Sequence, residues 1–172
     1  GDATQVVLAG FSLGSDDPEL TALYATADDP GAPGAVQVLP RPLRTPAKVL
    51  LVGVGVADEG GCRAAGAAAI RAVPDDEELQ VLVPPDLSAE AVRGLAEGIW
   101  LGGYRDRQAV VQLVTAARYA ESLHQAQAVA RAVWLARDLT NAPSSIKNPA
   151  WFAAQVVSAA DARPGVTVTV RE

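Results

Sequence analysis

The one stretch whose residue types and spacing could hold a ligand is Val52-Gly-Val-Gly-Val-Ala-Asp-Glu-Gly-Gly61. A glycine-rich turn between a strand and a helix can aim backbone amides at a phosphate, and the helix dipole adds to the attraction. Gly53 and Gly55 are in place, but Asp58 stands where a dinucleotide fingerprint has its third glycine. Asp58 and Glu59 would repel an anion at that helix start, whereas without a ligand they favour its dipole. A structural turn is the preferred reading, and an anion site at Gly53 to Gly61 is the alternative. Carboxylates also cluster at Asp16-Asp17, Asp28-Asp29, Asp58-Glu59 and Asp75 to Glu78. Acid–base pairs need a shared or buried environment that drives two pKa values apart, which neighbours in turns seldom have, so these read as solvated turns. His124 could be a general base, but no nucleophile lies near it in sequence, and a hydrogen bond on a helix surface is expected. Cys62 sits at a helix start whose dipole favours thiolate; Asp58, Glu59 and the small neighbours oppose that, so buried packing is expected. One cysteine and one histidine permit neither an internal disulfide nor a Cys/His zinc site. There is no Gly-x-Ser-x-Gly elbow, His-Glu-x-x-His or Gly-Lys-Ser/Thr loop. The residues themselves therefore assign no catalytic, cofactor-binding or metal-ligating side chain.

The elements that would position these groups follow from periodicity and breakers. Lys48 to Val56 is too short an apolar run to span a membrane and too β-branched for a surface helix, which suits a central strand buried on both faces. Thr4 to Leu13 reads as a strand closed by Gly14 and the acidic turn Ser15-Asp-Asp-Pro18. Five prolines between Asp28 and Pro46 predict an irregular excursion or hairpin edge, with a short strand at Val36 to Leu39. Glu59 to Val73 is an alanine-rich helix stopped by Pro74, and Leu79 to Val83 a second buried strand ended by Pro84-Pro85. Asp86 or Ser88 can cap a helix to about Leu101, broken by Gly102-Gly103. Ala109 to Val114 fits either a third strand or the opening of the next helix.

Ala116 to Leu139 is the longest helical pattern. His124, Gln127, Arg131 and Asp138 share one stripe, with Leu123, Ala130 and Trp134 on one flank and Ala128, Ala132, Leu135 and Leu139 on the other. A helix apolar on two sides needs two partners, so it reads as a bridge between packed bodies. Asn141-Ala-Pro143 ends it, and a helix over Pro149 to Ala162 and a strand over Val166 to Val170 follow. The pattern predicts an α/β sheet of three or four strands covered on both faces over 1–115, a linker helix over 116–143, and the start of an incomplete second domain over 144–172.

With 172 residues, 49% of them apolar and 20% charged, the chain can bury a sizeable core, which excludes wholesale disorder. A net charge of -6 offers no general attraction for a phosphate backbone, so nucleic acid is disfavoured as a partner. No long apolar run and no leader pattern is present, which predicts a soluble cytoplasmic protein with no membrane partner.

Three segments together resemble the N-terminal region of the leucyl (cytosol) aminopeptidases. They are Val52-Gly-Val-Gly with Arg63-Ala-Ala-Gly-Ala-Ala-Ala-Ile70, then Ala96-Glu-Gly-Ile-Trp-Leu-Gly-Gly-Tyr-Arg105, then Ala136-Arg-Asp-Leu-Thr-Asn-Ala-Pro143 with Pro149. Asp106 and Ser144-Ser-Ile-Lys147 depart from the family pattern. The resemblance implies a macro-domain-like three-layer αβα fold with a mixed sheet, followed by an interdomain linker helix. It also implies a downstream catalytic domain with two divalent metal ions, manganese or zinc, which releases N-terminal amino acids from peptides. None of the family's metal-ligand or catalytic motifs matches this chain, so no such residue is carried over. The chain is accordingly expected to be a non-catalytic assembly and regulatory domain, inactive alone. Its expected partners are the C-terminal catalytic domain of the same protein and further copies in a hexamer, with peptide substrates for the parent enzyme. The alternative takes the macro-like fold literally and places ADP-ribose or another phosphate ligand at Gly53 to Gly61.

Overall fold

The β-branched runs form five strands: β1 (Thr4–Ala9), β2 (Val36–Pro40), β3 (Lys48–Gly53), β4 (Leu79–Leu82) and β5 (Val111–Val114). They make one mixed sheet in the order β2-β3-β1-β4-β5, with β2 antiparallel to β3 and the other pairs parallel. The computed structural model describes residues 3–9, 17–75, 77–104, 110–161 and 163–171. Gly10 to Asp16 of the expected first strand and its turn, Asp76, Arg105 to Ala109 and Ala162 lie outside the described residues.

The helices are α1 (Pro18–Thr26), α2 (Glu59–Arg71), α3 (Ala89–Gly102), α4 (Ala120–Asn141) and α5 (Pro149–Asp161), with a short 3-10 turn at Ala117–Tyr119 before α4. α2 crosses from β3 to β4 and α3 from β4 to β5, in the same direction along a parallel sheet. Right-handed crossovers put both helices on one face. There Val6, Leu8, Leu50, Val52, Leu79 and Val81 of the sheet meet Cys62, Ala65, Val92 and Leu95 of the helices in one core. Val49 and Leu51 point the other way and are also fully buried, as expected of a central strand. The structure thus settles Val111–Val114 as a strand, and the α/β fold with a mixed sheet flanked by helices is the expected one, with five described strands where the pattern predicts three or four.

Contacts divide the chain into the units Gly1–Trp134 and Leu135–Glu172. In the first, the Tyr119 hydroxyl pins the start of α4 by donating to the carbonyl of Leu87 at 2.5 Å, while Arg118 donates to its oxygen at 2.6 Å. On α4 the expected flank Leu123, Ala130 and Trp134 is half-buried or buried, whereas Ala128, Ala132 and Leu135 of the opposite flank are exposed, Leu135 by 41%. In the second unit, Lys147 Nζ donates to the carbonyl of Thr140 at 2.6 Å, and Asn148 caps α5 by accepting from the Trp151 amide at 2.8 Å.

Two expectations are corrected. α1 was not among the expected elements, yet Asp17 caps it, Pro18 opens it and Glu19 lies in its first turn. Val166 to Val170 is not a strand: no described strand lies beside it to complete a ladder, and β-formers without a hydrogen-bonding neighbour make no sheet.

α2 and α3 touch backbone to backbone. A Cβ built at Gly66, Gly94 or Gly98 would lie 2.2, 2.2 or 2.1 Å from the carbonyl oxygen of Leu95, Glu59 or Arg63, respectively. Carbonyls cannot rotate away as side chains can, so Gly98→Ala must push the helices apart. We expect it to cost about 2 kcal/mol or more, overpacking outweighing about 1 kcal/mol of helix propensity. Gly103→Ala meets nothing nearer than 3.4 Å and should shift stability by less than about 0.5 kcal/mol. Urea midpoints check both, and equal midpoints would refute the contact.

Candidate functional site

The glycine turn joins β3 to α2, and several of its amides are engaged inside the protein. Gly53 and Gly55 donate to the carbonyls of Ala35 and Gly31 at 2.8 Å, and Ala57 donates to that of Val54 at 3.0 Å. Asp58 caps α2, its Oδ1 accepting from the Gly61 amide at 2.7 Å and its carbonyl from Cys62 at 3.0 Å. The segment leading into β2 lies directly on the turn: a Cβ at Gly53 would sit 2.1 Å from the Ala32 oxygen. Four of the donors a phosphate cradle would use are therefore spoken for, and Asp58 sits at the helix start with its charge against an anion. The geometry supports the structural turn. Two positive φ angles shape it, at Gly55 (62°) and at Ala57 (57°), and Val56 between them is 87% exposed.

One carboxylate in each of three clusters, Asp17, Glu59 and Glu77, differs from the solvated turn expected of it, because the fold brings a cation to it. Glu59 is held by Arg93 at 2.6 Å and by a close contact with Arg63 one turn on. Arg63 also donates to Glu97 through Nε at 2.9 Å and the terminal nitrogen at 2.7 Å, and Arg93 approaches Glu97 at 3.9 Å. Glu97 is only 5% exposed. This Glu59-Arg63-Arg93-Glu97 set ties α2 to α3 where the glycines bring them together. Arg93 and Glu97 carry no signal as site residues in the sequence; each helix shows only an i,i+4 charge pair, Glu59 with Arg63 and Arg93 with Glu97. Glu77 accepts from the buried Thr4 hydroxyl at 2.7 Å and from Lys48 at 2.6 Å, joining the starts of β1 and β3. Asp17 caps α1 by accepting from the Glu19 amide at 3.0 Å and pairs with Arg41 at 3.0 Å.

Guanidinium groups of Arg93 and then Arg63 hold the Glu59 carboxyl below its usual range. At Glu77 burial pushes upward, but the hydrogen bonds from Lys48 and Thr4 outweigh it and the carboxyl is again held low. Burial, and after it the charge of Asp58, pushes the Cys62 thiol up to about 11. This is the opposite of a helix-start nucleophile, and it agrees with the expected packing role. His124 is exposed on α4. Among the described residues no group of three or more His, Cys, Asp or Glu is placed to hold a metal ion, and no helix is long and apolar enough to cross a membrane.

Three outcomes follow from this chemistry. A carboxyl with a lowered folded pKa contributes stability above the unfolded value near 4.3, and that contribution is lost as pH falls through the folded value. The urea midpoint should therefore drop from about pH 5 downward, and less steeply in Glu59→Gln; an unchanged slope in that variant would rule out the role given to Glu59. Iodoacetamide at pH 8 should leave Cys62 unmodified in the folded protein and alkylate it in urea, as read by mass spectrometry. Calorimetry with millimolar ADP-ribose should give no saturable heat, whereas a saturable isotherm with the folded protein would restore the phosphate reading of the turn.

Compared with known proteins, the chain matches no protein-family model and no curated protein. Solved structures do match. The bottromycin maturation enzyme BotP is similar over 94% of this chain and 37% of its own, at 28% identity and a TM-score of 0.68. A structure of BotP in complex with Mn gives 28% identity and 0.70 over 94% of this chain and 36% of its own. A mutant of tomato leucine aminopeptidase gives 21% identity and 0.64, over 94% of this chain and 40% of its own. The chain thus spans well under half the length of each. Over nearly all of its sequence it has the fold of the N-terminal part of leucine aminopeptidase and BotP, in agreement with the resemblance carried by its three motifs.

Proposed function

We propose that this chain serves as the non-catalytic N-terminal assembly and regulatory domain of a leucyl aminopeptidase, a cytoplasmic two-metal exopeptidase that forms a hexamer. The observation that carries the reading is the match to BotP across 94% of the chain at 28% identity, with only 37% of that enzyme spanned. In the whole enzyme two divalent ions, manganese or zinc, would activate water and polarise the scissile carbonyl. On this reading the ions and the hydrolysis they carry out belong to the catalytic domain, and no group of three or more His, Cys, Asp or Glu among the described residues is placed to hold a metal ion. Its own contribution is rigid support: the sheet and the locked α2–α3 pair form a firm body, and the Tyr119 hydroxyl ties the start of α4 to it. The exposed Ala128, Ala132 and Leu135 flank of α4 and the nearly uncharged α5 give a catalytic domain apolar surface to cover.

An assay with leucyl-p-nitroanilide and added manganese or zinc should find no hydrolysis by these 172 residues, and metal-dependent hydrolysis once the polypeptide is extended through a downstream catalytic domain. Turnover by the 172 residues alone, or an extended protein lacking metal-dependent activity, would overturn the proposal. Reading the coding sequence past Glu172 for the family's metal-ligand motifs tests the same point without protein.

A further inference from the structure

We draw no further inference here: the strongest candidate, the groove of about 720 Å³ between α5 and the Val170-Arg171 segment, is an unpartnered apolar surface of the kind already assigned to a catalytic domain, and nothing in the structure shows what else covers it.

Discussion

The helical layer of the first unit depends on the contact between the backbones of α2 and α3. Helices whose axes are separated by ordinary side chains pack 8 to 10 Å apart. Here Gly66, Gly94 and Gly98 remove the side chains at the points of crossing, and carbonyl oxygens of the opposite helix occupy the space a methyl would need. Such an interface has little tolerance, because both surfaces are main chain. It also creates an electrostatic opportunity: with the helices this near, Arg63 reaches Glu97 and Arg93 reaches Glu59 across the junction. The buried Glu97 carboxylate would be costly alone, and the guanidinium groups beside it are what make its burial possible.

The same economy explains why the turn with the most ligand-like sequence is not furnished as a ligand site. Gly53 lacks a side chain because the oxygen of Ala32 lies where its Cβ would be, and Gly55 supplies a positive φ for the reversal. Both amides close hydrogen bonds to the strand-preceding segment Gly31 to Ala35. Glycine in such a turn serves the approach of another piece of the same chain, which a sequence motif cannot distinguish from the approach of a phosphate. Asp58 then completes the local chemistry as a cap, and with burial it keeps Cys62 protonated.

α4 and α5 have a different character. In the first unit α2 and α3 face the core, and α4 packs Leu123 against it and buries Ser122, Ala126 and Ala130. In the second unit, α5 carries Phe152 with 54% of its surface exposed. Two apolar surfaces on one helix and an almost uncharged helix after it are the features by which a supporting domain would engage a larger body.

Much was legible from the residues alone. The apolar Val49 to Gly53 run, the alanine helix, the Ser88 cap and the two-sided pattern of α4 each reflect a local periodicity or a short-range hydrogen bond, and these need no knowledge of the rest of the chain. The Asp17-Pro18-Glu19 start of α1 is equally local, but the turn residues around it carry the same letters. What only the tertiary structure decided were matters of neighbourhood. Val166 to Val170 has the letters of a strand but no ladder beside it. Glu59 and Glu77 look like solvated acids until Arg93 and Lys48, 34 and 29 residues away, arrive beside them. Gly94 and Gly98 acquire their meaning from carbonyls of another helix. Propensity and capping act within a few residues and so are written in order along the chain, whereas ion pairs, strand pairing and close packing depend on distances in space that only folding sets.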